Sequence, residues 1–474
     1  MRLKRFSILF IALFAGGCAT FHDRPLSPEK TALDFEARRL QDGGLRSFME
    51  AAFGHSLTVW PPAAWDLDTL TLAAYYYHPD LDIARAQWAV ARAGQRTAKE
   101  RPNPSFVLGS ELFVTNAPPD VSPWVFPLSI DIPVETAGKR GIRTRQAAAV
   151  SEAARLNIAQ AAWQVRSRVR SQLLALAAAR QSTAILRNQQ HALSENERLL
   201  TQRAKEGGTS PLNAAQAVVL AGKNRLALED ARRQETSARA QLADALGLPN
   251  RALDAITFST SAFDSFPSPQ DPVLVHARRA ALLGRADLLS SLATYAASQA
   301  ALQLEIAKQY PDVHLGPGYM YDQGSDKWGL GLTIPLPILS QNRGPIAEAQ
   351  ARRREAAARF LALQDKIIND IDRAVAEYAV SYQKLQTADR VLEADLRQDQ
   401  TLRRLLRPGD VSRLTLFRSQ LDIDSTRLAR ADAWLQAQQA LGALEDALEQ
   451  PLGPTRLSAA SFEMDPRRVA PSGD

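Results

Sequence analysis

The sequence contains little cysteine, little histidine and few aromatic residues. One Cys in 474 residues excludes a disulfide framework and a zinc or iron–sulfur site built from several thiolates. The six His are scattered, which argues against a metal centre made of imidazoles, so we expect no resident metal and no cofactor. Aromatic residues make up only 7% of the chain, which is low for a conventional β-protein and suits long Ala-rich helices.

Long apolar runs and a strong excess of one charge are also missing. No run of 18 apolar residues occurs beyond the N-terminal segment, which excludes a bundle of transmembrane helices. The 45% of hydrophobic and 23% of charged residues exclude a disordered chain. The net charge of +6 includes Arg2, Lys4 and Arg5, and no basic stretch is interleaved with aromatic residues, so we expect no nucleic-acid partner.

The N-terminal residues resemble a bacterial export signal. The basic residues precede the short apolar run 6–14 and then Ala15-Gly16-Gly17-Cys18. We interpret residues 1–17 as a cleaved signal peptide, because the apolar run is too short to span a membrane. The small residues before Cys18 resemble a lipobox, so Cys18 is the predicted lipid-attachment residue; an ordinary signal peptide with an incidental Cys is the alternative. Ala19 replaces the Asp that retains lipoproteins in the inner membrane, which implies the outer membrane.

The rest of the chain repeats itself. The segment 104–109 matches residues 311–316, and the landmarks of the segments 207–210 and 409–412 match in the same way. Ordered matches along the whole length indicate a duplication. We predict an N-terminal anchor and lead-in segment at 18–65, a first repeat at 66–250, a linker at 251–271, a second repeat at 272–451 and a C-terminal tail at 452–474.

Each predicted repeat has the same order of elements. A first helix, at 66–101 or at 272–309 with an interruption near Gly284, is followed by two short strands. A very long helix at about 138–205 or 344–406 then leads through a Gly-containing turn into a second helix. At roughly 1.5 Å per residue, each very long helix would reach about 100 Å.

The predicted strands alternate between apolar residues and small or polar residues. This period of two is typical of strands in a membrane barrel, although a half-buried strand of a soluble sheet shows the same alternation. Four strands cannot close a barrel and lipid does not tolerate open sheet edges, so membrane-spanning strands would require several copies of the chain. The apolar positions are Phe106, Leu108, Leu112, Val114, Trp124, Phe126, Leu128, Ile130, Ile132, Val313, Leu315, Tyr319, Tyr321, Trp328, Leu330, Leu332, Ile334 and Leu336.

With this layout the chain resembles the TolC-like outer-membrane efflux protein family. The resemblance covers almost the whole mature chain and rests on the duplicated order of elements, on Ile334-Pro335-Leu336-Pro337, and on the turns 207–210 and 409–412. It implies a mainly α protein with a small membrane β part, in which three protomers with four strands each form a 12-stranded β-barrel continuous with a long α-helical barrel. It also implies a homotrimer in the outer membrane, extending into the periplasm, with membrane lipid, a periplasmic adaptor (membrane fusion) protein and an inner-membrane pump of RND type as partners.

One segment points to a substrate. Residues 135–141, Glu-Thr-Ala-Gly-Lys-Arg-Gly, resemble the heavy-metal-efflux branch of this family, which implies export of heavy-metal cations. The simpler interpretation is a capped helix start, with Thr136 near the N-cap and Gly at a strand-to-helix bend. An outer-membrane factor for drugs, organic compounds or secreted peptides is the alternative within the family. A periplasmic coiled-coil scaffold without channel activity is the alternative outside it.

The predicted functional residues lie at the helix turns, and we do not expect an enzyme because no catalytic pattern occurs in a fitting context. The resemblance makes the two turns periplasmic tips that contact the adaptor, and we expect Leu212 and Leu414 to pack under them. The tip residues are Gly207, Gly208, Ser210, Gly409, Asp410 and Ser412.

A pore constriction is predicted on the helix after the second turn. The family often carries acidic residues there, but Thr415 and Arg418 occupy the corresponding positions. Asp422 and Asp424, further along the same helix, are the candidates for an acidic ring. Because Asp422 follows Arg418 by four residues, a helical ion pair between them is the competing interpretation.

Overall fold

A computed structural model describes residues 19–112, 114, 121–254, 256–269, 272–406, 413–453 and 455–457. The chain divides into two compact units, Met1–Arg39 and Leu40–Asp474. The described part of the first unit contains helix α1 (Pro28–Ala37), whose first turn is capped by the Ser27 hydroxyl. The predicted lipid-attachment residue Cys18 lies outside the described residues.

The second unit is mainly helical and contains one sheet, which confirms the predicted mainly α class with a small β part. The trimer and its 12-stranded barrel stay predictions. The predicted order of helix, strands, long helix and second helix is present twice. Its elements are α2 (Gly43–Phe53), α3 (Leu67–Tyr77), α4 (Pro79–Lys99), β1 (Ser105–Leu108), β2 (Glu111–Leu112), β3 (Trp124–Val134), α5 (Lys139–Lys205), α6 (Pro211–Leu246), α7 (Pro272–Gly284), α8 (Ala286–Ala307), β4 (Val313–Asp322), β5 (Ser325–Thr333), α9 (Arg343–Leu406) and α10 (Arg413–Leu448).

The first predicted helix, 66–101, is divided in the structure into α3 and α4. Pro79 occupies the first turn of α4 and holds His78 in an extended conformation, with φ −75° and ψ 126°. The His78 imidazole caps the new helix by accepting from the N–H of Asp80 at 3.2 Å. In the second repeat, the interruption predicted near Gly284 is confirmed at Arg285, which is extended between α7 and α8.

The long helices form two packed pairs. α5 has 67 residues and α9 has 64, which at ~1.5 Å per residue gives each about 100 Å. α6 packs along α5 and α10 along α9, while α8 contacts both α5 and α9. The larger apolar core lies where α2 and α3 meet the middle of α5 and the end of α6. Among the helices of the described residues, none combines the length and the apolar character needed to cross a membrane.

The strands form one antiparallel sheet. The order is β1-β3-β4-β5, and β2 pairs with β3 beside β1. In the described part of the chain, β1 and β5 therefore pair on one side only. Leu128 on β3 lies opposite Leu108 on one side and Tyr319 on the other, which fixes the register.

The strand ends differ from the prediction at two places. The first strand is divided into β1 and β2 and does not run continuously to Val114. β5 ends at Thr333, so Ile334 and Leu336 lie beyond the sheet. Pro335 stands between them and has no N–H to donate to a strand ladder, which ends the pairing there.

Candidate functional site

One face of the sheet carries large apolar side chains that are exposed to solvent. Trp328, Leu330 and Leu332 on β5 are 83%, 74% and 61% exposed. A contiguous apolar surface of this kind marks contact with a membrane or another protein. The register places every second strand residue on this face, as the alternation predicts. Its other large apolar members are Phe106, Leu108, Leu112, Trp124, Phe126, Leu128, Ile130, Ile132, Leu315, Tyr319 and Tyr321. Asp326, opposite Tyr321, is a charged residue on the same face and accepts a hydrogen bond from the Tyr319 hydroxyl.

Aromatic side chains gather towards the end of this face that is remote from α5. The Trp124 and Phe126 rings stack with their centroids 5.6 Å apart, and β3 runs from there to α5 at its other end. The Tyr319 and Trp328 centroids are 5.1 Å apart on β4 and β5. Aromatic girdles of this kind lie at the membrane–water interface of barrel proteins.

The opposite face of the sheet, which we call the inner face, carries mostly glycine and polar residues. Its apolar members are Val107, Val125, Pro127, Pro133 and Met320. Gly316 and Gly331 lie opposite each other, and a Cβ on Gly331 would stand 3.3 Å from the Gly316 carbonyl oxygen. His314 Nδ1 lies 3.0 and 3.1 Å from the two carboxylate oxygens of Asp131. Small and polar residues on the inner face match the lumen side of a barrel strand.

The segment 135–141 fastens the start of α5 to the start of β4. Lys139 is buried, and its Nζ donates to the Tyr310 carbonyl oxygen at 2.6 Å and to Asp312 Oδ1 at 2.7 Å. The N–H of Thr136 also donates to Asp312 Oδ1, at 2.8 Å, and its hydroxyl donates to the carbonyl oxygen before Asp312. Burial raises the pKa of the Asp312 carboxyl, but the bonds from Lys139 and Thr136 outweigh this and hold that pKa below its usual range.

The start of α5 differs from the predicted capped helix. Thr136 does not cap the helix; the N-cap residue is Gly138, with φ 67° and no side-chain cap bond. Ala137 has a positive φ as well, 53°, so two successive left-handed residues turn the chain from β3 into α5. Arg143 closes this turn by donating to Glu135 at 2.6 Å and to a carbonyl oxygen of the last turn of α4 at 3.1 Å.

The first helix turn, between α5 and α6, has the predicted glycine geometry. Gly207 has φ 77°, and the N–H of Gly208 donates to the Arg203 carbonyl oxygen at 2.7 Å. The Ser210 hydroxyl accepts from the N–H of Leu212 at 3.1 Å and so caps α6. The expected packing of Leu212 under the turn is wrong, because its side chain is 65% exposed.

The centre of the second turn lies outside the described residues, and with it the predicted tip residues Gly409, Asp410 and Ser412. The chain is described again from Arg413, where α10 begins. Leu414 is 48% exposed, and its expected packing under this turn stays a prediction.

The four predicted constriction residues do not share one environment. Thr415, Arg418 and Asp422 are exposed on α10. Asp424 is buried within the chain, 2% exposed, and its carboxylate accepts from Arg427 at 3.0 Å. In the described part of α10 the helical ion pair between Arg418 and Asp422 does not form, so that interpretation is wrong. Of the two acidic candidates for the constriction, Asp422 and Asp424, only Asp422 is exposed.

A buried polar network between α5 and α10 was not predicted. Arg170 Nε lies 3.0 Å from Glu445 Oε2, and the guanidinium donates to the carbonyl and side-chain oxygens of Gln438 at 3.0 Å each. Burial lowers the pKa of the Arg170 guanidinium, and the Glu445 carboxylate opposes that shift. Gly442 makes room, because a Cβ there would stand 2.3 Å from Arg170 Nη1. The signal in the sequence was that Arg170 stands beside Val169 in an apolar stretch of the predicted long helix.

The Asp131–His314 pair was also missed by sequence reasoning, which treated the His residues as isolated. The two residues are 183 positions apart and meet through the pairing of β3 with β4. The signal in the sequence was that both residues occupy polar positions in strands whose residues alternate between apolar and polar. Within the ranges that the structure describes, no group of three or more His, Cys, Asp or Glu is placed to hold a metal ion.

Comparison with known proteins assigns this geometry to a family. The model of the outer membrane efflux protein family matches residues 74–248 and 277–449. The chain belongs to the outer membrane efflux protein family. The resemblance to TolC-like efflux proteins is thereby confirmed, whereas the predicted domain boundaries stay predictions.

This outer membrane efflux protein is similar to a curated relative in sequence and to solved structures in fold. The cobalt-zinc-cadmium resistance protein CzcC of Cupriavidus metallidurans is 24% identical over 267 residues, or 54% of this chain, and the chain spans 61% of the length of CzcC. The outer-membrane channel OprN superposes with a TM-score of 0.65 at 17% identity, over 92% of this chain and 99% of OprN. The CmeC outer membrane channel of Campylobacter jejuni superposes with a TM-score of 0.65 at 15% identity, over 91% of this chain and 94% of CmeC. The family is that of outer membrane efflux proteins, and these two solved structures of the same fold are outer-membrane channels.

Proposed function

We propose that this chain is the outer-membrane channel of a tripartite efflux system. The observation that carries the proposal is the sheet, which has large exposed apolar side chains on one face and mostly glycine and polar residues on the other. Such a sheet suits a wall between lipid and water. The strands continue into helices of 67 and 64 residues, long enough to extend a conduit into the periplasm.

Three copies form the channel in this proposal. Within the described residues, β1 and β5 each have one strand neighbour, and unpaired backbone groups are costly in lipid. Two copies would supply about eight strands, a barrel whose interior side chains fill, whereas three supply about twelve and leave a lumen. Pairing β5 of one copy with β1 of the next removes the open edges.

The chain works with an adaptor and a pump in this proposal. The tip residues of the first turn, Gly207, Gly208 and Ser210, and those of the second contact a periplasmic adaptor protein. An inner-membrane pump of RND type delivers the substrate. Cys18 anchors the mature chain to the outer membrane through its acyl chains, and Asp422 lines the constriction near the tips.

The proposed substrates are heavy-metal cations. The support is the likeness to CzcC, whose name records resistance to cobalt, zinc and cadmium, together with the likeness of the segment 135–141 to the heavy-metal-efflux branch. Selection of the substrate also depends on the pump, so the test must be made in the native host.

Deletion of the gene tests the substrate. We expect the deletion strain to stop growing at lower concentrations of Co²⁺, Zn²⁺ and Cd²⁺, and the intact gene to restore resistance. Unchanged metal resistance with increased sensitivity to drugs would support the alternative, an outer-membrane factor for organic compounds. A periplasmic scaffold would differ from both, since the purified protein would then give no conductance in a planar lipid bilayer.

A further inference from the structure

The inner face of the sheet has an excess of acidic residues. Its charged residues in the described strands are Glu111, Asp131, Asp322 and Lys327. Lys327 is paired with Asp322, and no other Lys or Arg of the described strands balances Glu111 and Asp131. A water-filled passage lined in this way concentrates cations and repels anions.

The geometry of the Asp131–His314 pair fixes the tautomer of the imidazole. A carboxylate only accepts hydrogen bonds, so His314 Nδ1, at 3.0 and 3.1 Å from its two oxygens, must carry the hydrogen. In the neutral imidazole the lone pair is then on Nε2, at the far side of the ring. The same carboxylate–imidazole arrangement orients the histidines that bind metal ions in proteins.

The surroundings of His314 leave space for a hydrated ion. Thr333 lies opposite it on β5, and the next pair on the same face is Gly316 with Gly331, which have no side chains. The His314 side chain is 33% exposed and that of Asp131 is 41% exposed. An ion that binds Nε2 can therefore keep most of its water ligands.

We propose that the Asp131–His314 pair is a weak binding site for divalent transition-metal cations such as Zn²⁺, Co²⁺ and Ni²⁺. His314 Nε2 is the ligand, Asp131 is the positioning residue, and water completes the coordination shell. Imidazole suits these metals, whereas Mg²⁺ and Ca²⁺ prefer oxygen ligands. The proposal rests on the proposed function, because it takes the inner face to line the passage. A single protein ligand keeps binding weak, and transit through a channel requires release.

Chemical modification of the purified full-length protein tests the site. Diethyl pyrocarbonate acylates imidazole nitrogens that hold a lone pair, and mass spectrometry of peptides follows His314 separately from other His residues. We expect Zn²⁺ and Ni²⁺ to slow modification of His314, and Mg²⁺ at the same concentration to leave it unchanged. His55 is the internal reference: it is exposed, its Nδ1 contacts a backbone carbonyl oxygen at 3.2 Å, and we expect no protection of it at those concentrations.

Two variants separate positioning from general electrostatic attraction. Asp131→Asn keeps the shape but weakens the bond to Nδ1, and we expect the Zn²⁺ concentration needed for half protection to rise about tenfold, the lower end of the effect of such partners. Glu111→Gln removes one charge from the same face without touching His314, and we expect wild-type protection. The proposal is overturned if Zn²⁺ does not protect His314 in the wild-type protein, a result that does not depend on any variant. It is also overturned if the two substitutions weaken protection equally.

The outcomes for the site and for the substrate are distinguishable. If Zn²⁺ protects His314 but deletion of the gene does not alter metal resistance, the cation site is supported and heavy-metal export is rejected. If deletion of the gene lowers metal resistance but Zn²⁺ does not protect His314, heavy-metal export is supported and the cation site is rejected.

Discussion

Lys139 shows how single side chains hold the elements of this molecule together. Its ammonium group is buried at the junction of α5 and β4, where Asp312 and a carbonyl oxygen accept its hydrogens. Removing one member of a buried pair leaves the other charge without compensation, which costs more than losing a pair on the surface. Lys366 and Asp370 on α9 form such a surface pair, in which the Lys side chain is 70% exposed.

We predict that Lys139→Met destabilises the chain more than Lys366→Met. The Met side chain keeps the apolar stem of Lys139 but has no ammonium group. Of the two groups that donate to the Asp312 carboxylate, only the Thr136 N–H then remains. We expect the free energy of unfolding to fall by about 1–3 kcal/mol for Lys139→Met and to change by less than about 0.5 kcal/mol for Lys366→Met. Denaturant midpoints measured at one protein concentration check this, and equal losses would contradict the role of the junction.

His78 makes stability depend on pH. Its side chain is 6% exposed, and this burial, with a contribution from Arg168, lowers the pKa of the imidazole against the opposing effect of Asp80. Between the lowered pKa and the usual value of about 6.5, the unfolded chain binds more protons than the folded chain. The stability from neutral His78 is therefore present above pH of about 6.5 and is lost as the pH falls through the folded-state pKa.

We predict that His78→Asn reduces the loss of stability on acidification. Asn retains the ability to cap α4 but does not titrate in this range. Thermal unfolding midpoints at pH of about 7.5 and about 5 should differ more for the wild type than for the variant. The same shift in both proteins would assign the pH dependence to other groups.

At the scale of elements, the turns depend on glycine where the backbone is left-handed. Gly207 adopts φ 77° between α5 and α6, and an added Cβ there would meet no neighbouring atom within 4 Å. The restriction is therefore conformational and not steric crowding by the rest of the fold. Gly208 differs, since it lacks this φ and an added Cβ would stand at an ordinary 3.5 Å from the Arg203 carbonyl oxygen.

We predict that Gly207→Val impairs export far more than Gly208→Ala, because of the two residues only Gly207 has a positive φ. A β-branched side chain resists positive φ, so the valine variant should distort the tip without disturbing the strands. If the tip contacts the adaptor, the valine variant should reach the outer membrane at normal level yet lose adaptor crosslinking. Full export and crosslinking by Gly207→Val would argue against this assignment of the tip.

At the scale of the whole molecule, the sheet of the described residues has two open edges. β1 and β5 expose strand edges along the described residues, next to a face of large apolar side chains. Lipid penalises unpaired N–H and C=O groups, and soluble sheets protect their edges in other ways. Assembly would cover these edges.

We predict that the detergent-solubilised protein is a trimer. Its protein mass, measured by light scattering with the detergent contribution subtracted, should be near three times that of the mature chain. Strand pairing between copies should make this assembly resist dilution. A monodisperse monomer with intact strand signals in infrared spectra would contradict the closure of the barrel.

The sequence alone sufficed for the features that depend on local pattern. The period of two in β3 to β5, the length of α5 and α9 and the glycine turn at Gly207 follow from residue spacing and backbone preference, and all agree with the structure. Local pattern failed where a neighbour distant in the chain takes part. Thr136, for example, donates its N–H to Asp312, 176 positions away, instead of capping α5.

Only the tertiary structure decided which charged groups meet. Asp131 and His314, Lys139 and Asp312, and Arg170 and Glu445 are each joined across the two repeats. Helical and strand periodicity determines the face on which a residue lies but not its partner on another element. That partner depends on the strand register and on the axial alignment of one long helix against the next. The packing of the whole chain determines both.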